Sequence, residues 1–270
     1  MESEFPSTVI NKGPTWKGFD ALRFLVIFGD SYSDVGFADF ESLIPSHEEP
    51  LGVDFPGVTY AEPGEPNWVG HFITNYANHQ LLVYDYAHGG ARVAQVRNQI
   101  QVMFRVQISE RPPWAPWKDQ DALFVTWVGI NDAAYGCEHK DNLKVLFKGQ
   151  EILYNNGARN FVFVNIPAID RSPARGRKPN YISWNMALNE AANRFSAAHP
   201  NATVMIYSSW DTFNALFDNP VAHGFPAEDT KRAGKSMWVD HLHPTSKVHD
   251  FVARDLANFL GQQGAFSESV

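Results

Sequence analysis

Ser31 stands in the run Phe28-Gly29-Asp30-Ser31-Tyr32-Ser33-Asp34, directly after a short apolar segment. A Gly, an Asp and a Ser at a strand-to-helix turn set the hydroxyl at the tip of a sheet. There the N–H groups of the following helix face outward and can stabilise an oxyanion. The same residues also read as a plain helix N-cap, for which Asp and Ser are favoured. Asp30 reads as structural, bonding neighbouring turns, and Asp34 as a first-turn helix residue. In Val128-Gly129-Ile130-Asn131-Asp132, the Asn131 amide is a candidate side-chain oxyanion donor, or else an ordinary turn Asn. In Ala87-His88-Gly89-Gly90-Ala91, a glycine N–H can approach a ligand closely, or the pair makes a tight turn. Between Trp238 and Thr245, Asp240 precedes His243 by three residues. That carboxylate can orient the imidazole within one turn of chain and leave its second nitrogen to take a proton from Ser31. His241 competes for the role, and the Asp-x-x-His spacing favours His243. A metal site of Asp240, His241, His243 and His249 is the other reading, but no carboxylate or His cluster elsewhere stands at ligand spacing to support it.

These residues need elements to hold them. The apolar runs 22–28, 81–87, 121–130, 160–166 and 202–208 are rich in Val, Ile and Phe and bounded by polar residues or Gly, as strands buried on both faces are. Between and after them, 68–76, 91–107, 141–155, 181–199 and 246–260 carry helical apolar spacing. In the last, Val248, Phe251, Val252, Leu256, Phe259 and Leu260 form one stripe, with Pro244 and Thr245 opening the helix. The alternation predicts an α/β fold, a five-stranded parallel sheet with helices on both faces. Residues 1–20 read as an irregular N-terminal arm and 21–264 as one domain. Residues 39–67 are Pro-rich and acidic without periodicity, carrying Asp39, Glu41, Glu48, Glu49, Asp54, Glu62 and Glu65. This stretch leaves the carboxyl edge of the first strand, where ligands of open parallel sheets bind. Its prolines suit a fixed wall better than a mobile lid. Trp114 and Trp117 precede a strand, so they belong to packing at the opposite edge.

Composition narrows the function classes. With 22 basic and 30 acidic residues, the net charge of −8 disfavours nucleic acid as a partner. The basic run Arg171–Lys178 reads as a solvated loop. The single cysteine, Cys137, rules out an intrachain disulfide and a cysteine-rich metal site. The first twenty residues lack a signal peptide's basic start and apolar core, so the expectation is a cytoplasmic protein, or a secreted one whose signal has been removed. No apolar run is long enough to span a bilayer, and no stable membrane association is expected. The acceptor pattern Asn201-Ala202-Thr203 is a kind of match common by chance.

FGDSYSD, the glycine of AHGGA, GIND and VDHLHP follow the order of the four blocks of the SGNH hydrolases, also called GDSL esterases, over residues 23–260. The resemblance implies a flavodoxin-like three-layer α/β/α fold and a serine esterase that works through an acyl-enzyme without a metal or organic cofactor. It assigns Ser31 as nucleophile, His243 as base, Asp240 as the acid behind it, and Ser31, Gly90 and Asn131 as the oxyanion hole. Gly90 is preferred to Gly89 because Asp-Tyr-Ala-His-Gly-Gly resembles the block's Asn-x-Ala-x-x-Gly, with Asp85 in place of Asn. Tyr32 stands where the family name has Leu. The phrases TWVGIND and IPAIDRSP, with Trp238 two residues before Asp240, resemble fungal-type acetylesterases of carbohydrate esterase family 16. That likeness implies acetyl esters of sugars or oligosaccharides as substrates. The alternatives are a short-chain lipase or lysophospholipase and, in another class, a non-catalytic carbohydrate-binding relative. The α/β-hydrolase elbow is absent: Gly234-Lys235-Ser236-Met237-Trp238 fails at its last position. The same Gly-Lys-Ser is no phosphate loop, because Asp229 occupies the first glycine position.

Overall fold

The computed structural model describes residues 3–39, 44–134, 136 and 139–268; Glu41 and Cys137 lie outside them. The five apolar runs form strands β2 (Phe24–Gly29), β3 (Leu82–Asp85), β4 (Ala122–Trp127), β5 (Asn160–Val164) and β6 (Thr203–Tyr207). Every residue of β2, β4, β5 and β6 is buried, which is why their sequences are apolar on both faces. The sheet has six strands rather than five. The extra one, β1 (Thr8–Asn11), lies in the stretch read as an irregular arm and pairs antiparallel with β6. Four residues are too few to show a period, and the partner strand lies far along the chain. Strand order is β1-β6-β5-β4-β2-β3, with all pairs except β1·β6 parallel.

Helices α1 (Trp68–His71), α2 (Val93–Asn98), α3 (Arg105–Gln107), α4 (Ile130–Ala134), α5 (His139–Asn155), α6 (Lys178–Ala198), α7 (Ser209–Asp218) and α8 (Ser246–Gly261) complete the chain. Wider π turns extend α1 through Tyr76 and join α2 to α3. Helices α1, α7 and α8 pack together, as do α2, α5 and α6, so the sheet is flanked by two helical layers. Helix α7 lies outside the helical runs read from the sequence, although Ser208 accepts from the Asp211 N–H as its N-cap and Trp210, Phe213, Leu216 and Phe217 share its buried face. Part of the basic run is tied to it: Arg171 meets Asp218 at 2.6 Å and donates to Asn214, while α6 already begins at Lys178. Trp117 is fully buried and Trp114 half exposed, both before β4. No helix among the described residues is long and apolar enough to cross a membrane.

Without β1, the parallel strands run 2-1-3-4-5 in their own order. The chain therefore reverses direction of build between β2 and β4. At such a switch point the two flanking loops diverge and open a crevice beyond the carboxyl ends of the strands. Ser31 follows β2 and Asn131 follows β4.

Candidate active site

Past β2 the chain makes a single helical turn, in which the Ser33 and Asp34 N–H groups both donate to the Asp30 carbonyl. No helix continues from it, contrary to the sequence reading. The cause is Asp34, whose Oδ1 captures the Gly36 N–H at 2.8 Å and turns the chain away. Asp34 is thus a turn former, and its second oxygen accepts the Gly89 N–H at 2.7 Å. Ser31 itself is 4% exposed, with its hydroxyl turned to His243. Tyr32 lies fully buried edge-on against Trp127, and its hydroxyl donates to the Leu242 carbonyl at 2.7 Å. The residue that departs from the family name thereby ties the serine turn to the Asp240–His243 turn.

That second turn closes on itself. Asp240 Oδ1 accepts the N–H groups of Leu242 and His243, each at 2.7 Å, and Oδ2 meets His243 Nδ1 at 2.7 Å. The other ring nitrogen, Nε2, lies 3.0 Å from Ser31 Oγ. Partial burial pushes the Asp240 carboxyl up, but the His243 ring and then the two backbone N–H groups outweigh it and hold its pKa below the usual carboxylate value. His241 is exposed. His249 is buried against Tyr32, and burial, then the neighbouring His71 and His243, push its pKa down to about 3. It carries no charge near neutral pH. No group of three metal-ligating side chains is assembled among the described residues. Thr245 occupies the N-cap position of α8, but its hydroxyl donates to Ser236 rather than capping the helix.

Asn131 lies in the first turn of α4 and its amide donates to the Ala91 carbonyl at 3.0 Å and to Asp30 Oδ2 at 3.4 Å. It therefore bridges the 87–91 turn and the serine turn. In the former, the Ala91 N–H returns to His88, and Gly90 has φ of 74°, a value that L side chains rarely adopt. Gly89 leaves room for another residue: a Cβ there would overlap the Tyr60 hydroxyl and ring, which would have to shift. Asp85 is fully buried and accepts the Ala87 N–H at 2.9 Å; burial pushes its carboxyl well above the usual range. Asp30 is also buried. Burial first, then Asp132 and Asp34, raise its pKa to about 7 against the opposing Tyr32 N–H.

The structure thus brings Ser31, His243 and Asp240 into one hydrogen-bonded line, and sets Asn131 and the Gly89–Gly90 turn against the serine turn. A hydroxyl so placed can lose its proton to an imidazole whose charge a carboxylate then balances. Tyr60 has no signal in the sequence, because it sits in the aperiodic 39–67 stretch. Its ring centroid lies 4.8 Å from that of His243. The stretch is less uniformly acidic at its surface than its composition suggests, for Phe55, Val58 and Tyr60 are exposed. The turn-forming role of Asp34 does have a sequence signal: Asp two residues before Gly is the pattern of a side-chain-closed turn.

Known proteins resemble this chain to different depths. The GDSL-like lipase/acylhydrolase family matches residues 25–256. An acetylesterase of Thermothelomyces thermophilus is 31% identical over 270 residues, covering 88% of each chain. In structure, the chain is similar to an acetylxylan esterase of Geobacillus stearothermophilus, with a TM-score of 0.56 at 13% identity over 94% of this chain and 100% of that one. A member of the lipolytic G-D-S-L family from Veillonella parvula gives a TM-score of 0.53 at 16% identity over 87% and 97%. At such identities the two structures speak for the fold alone.

Proposed function

The chain belongs to the GDSL-like lipase/acylhydrolase family and is a carboxylic ester hydrolase; from that premise we propose that it removes acetyl groups from hydroxyls of sugars or small oligosaccharides through an acyl-enzyme on Ser31. The observation that carries the mechanism is the 3.0 Å contact of Ser31 Oγ with His243 Nε2, backed by the 2.7 Å contact of Nδ1 with Asp240. Ser31 Oγ attacks the ester carbonyl while His243 takes its proton. The carbonyl π electrons move to oxygen, and the N–H groups of Ser31 and Gly90 with the Asn131 amide receive that charge. The 2.7 Å bond of the Gly89 N–H to Asp34 favours Gly90 as the donor of this turn, while the Asn131 amide exchanges its long 3.4 Å contact with Asp30 for the oxyanion. The C–O bond to the alcohol then breaks, and His243 returns the proton to the leaving oxygen. Water, deprotonated by the same imidazole, releases the acid and restores Ser31. No step calls on a metal or an organic cofactor.

The acetyl preference is supported by the acetylesterase relative, and the sugar by the resemblance of TWVGIND, IPAIDRSP and Trp238 to acetylesterases of carbohydrate esterase family 16. Exposed Phe55 and Val58 favour a second reading, a short-chain lipase or lysophospholipase. Rates on p-nitrophenyl acetate, butyrate and octanoate, beside an acetylated xylo-oligosaccharide, separate the two. The expected order is acetyl above butyryl above octanoyl, with turnover of the xylo-oligosaccharide and no jump in rate when substrate forms micelles. Faster octanoyl turnover or strong interfacial activation would overturn the sugar acetylesterase in favour of the lipase.

A further inference from the structure

Tyr60 is held in place on both sides by contacts that reach well beyond its own loop. The Val58 N–H donates to the Val35 carbonyl at 2.9 Å, and Thr59 Oγ1 donates to the Glu65 carbonyl at 2.9 Å. Glu62 accepts the Ser246 N–H at 2.7 Å at the start of α8, where free N–H groups and the helix dipole favour a carboxylate. The Asn67 amide donates to the Asp34 carbonyl at 2.9 Å. The ring so positioned lies over the His243 imidazole, with centroids 4.8 Å apart and planes 32° apart, and its hydroxyl end reaches Gly89. It remains 41% exposed. Tyr60 therefore spans from the proton-transfer side of the site to the glycine turn and keeps part of its surface exposed.

The chemistry says what meets that surface. His243 must return its proton to the alcohol oxygen, so the alcohol half of the ester sits beside the imidazole, and the carbonyl oxygen sits toward Gly90 and Asn131. An aromatic ring beside the imidazole contacts the alcohol half rather than the acyl half. We propose that Tyr60 is the platform for the leaving alcohol and selects ring-shaped alcohols, whose C–H faces pack against an aromatic face, over small open-chain ones. An acetylated pyranose is such an alcohol. The proposal rests on the Ser31–His243 ester-hydrolase reading and adds to it the residue that sets alcohol specificity.

The test holds the acyl group constant and varies the alcohol. Ethyl acetate, cyclohexyl acetate, cyclohexyl butyrate and an acetylated xylo-oligosaccharide are compared on the parent, Tyr60→Phe and Tyr60→Ala. In Tyr60→Ala the ratio of kcat/KM for cyclohexyl over ethyl acetate should fall about tenfold, mainly through KM, because one aromatic packing contact is lost. In Tyr60→Phe, which keeps the ring, the ratio should stay within about twofold of the parent. An equal loss on both acetates would overturn the proposal and leave Tyr60 as a support for His243. A loss that follows acyl length instead would place it on the acyl side, also against the proposal. If Tyr60→Ala does not fold, Tyr60→Leu keeps bulk against Gly89 without an aromatic face and gives the same reading. A parent that ignores the xylo-oligosaccharide, yet shows the ring preference and loses it in Tyr60→Ala, would sink the sugar substrate and keep the platform. A parent that turns over the xylo-oligosaccharide with a ratio unmoved in Tyr60→Ala would do the reverse.

Discussion

Replacing Asp30 by Asn should make the protein progressively more stable than the parent as pH rises from 5 to about 7, with the difference level above that. Asp30 is 1% exposed, and burial with the nearby Asp132 and Asp34 lifts its pKa from 3.8 to about 7. Between those two values the unfolded chain has released the proton and the folded chain still holds it. The unfolded state therefore binds fewer protons, and stability falls as pH rises, by about 1.36 kcal/mol per unit for a single group. Above pH 7 the loss is complete and the contribution is level. From pH 5 to the folded pKa there are about two units, so the parent loses about 3 kcal/mol through this carboxyl alone. Asn does not titrate. A constant offset accompanies the change, because the amide must keep the Tyr32 N–H bond and meet the Asn131 amide, but that offset does not vary with pH. Urea unfolding of parent and variant at pH 5, 6, 7 and 8, with equal m-values, measures the difference directly. Its growth by about 3 kcal/mol in favour of the Asp30→Asn variant is the expected outcome. Parallel pH profiles would refute the argument, for they would mean that the folded protein holds Asp30 no more protonated than the unfolded chain does.

The Ser31→Ala variant should fold and lose at least about a thousandfold in kcat on p-nitrophenyl acetate, the usual cost of removing the nucleophile of a triad. Near-normal turnover by the purified variant would remove Ser31 from the mechanism. Asn131→Ala should lower kcat by about 10² to 10³ with a smaller change in KM, because the role proposed for its amide is toward charge that develops only in the transition state. An effect confined to KM would assign Asn131 to substrate binding.

Much of this protein is local, and what is local is legible in the sequence. Strands β2, β4, β5 and β6 are runs of large apolar residues because both faces are covered, and such runs announce themselves without knowledge of their neighbours. The pairing of Asp240 with His243 needs three residues of chain and is built by the turn's own N–H groups. Gly90 answers to the φ of one turn. The order of the blocks at strand ends suffices to place Ser31 and Asn131 on one edge, since parallel strands with crossover helices all end on the same side.

What the tertiary structure alone decided are the features made by segments remote in the chain. β1 is a strand only because the open edge of β6 offers it hydrogen bonds across nearly two hundred residues. The Asp34–Gly36 turn that replaces the helix expected after Ser31 is local, but the second bond of that carboxylate, to Gly89, crosses 55 residues. That same bond engages the Gly89 N–H, which is why the proposed mechanism uses Gly90 in this turn. Tyr60 reaches His243 through anchors at Val35, Asp34 and Ser246, and no pattern within its own loop encodes where it ends. The raised pKa of Asp30 likewise belongs to no motif. Burial and the fields of neighbouring carboxyls act through space, and their strength is set by which segments the sheet packs together rather than by which residues adjoin in sequence.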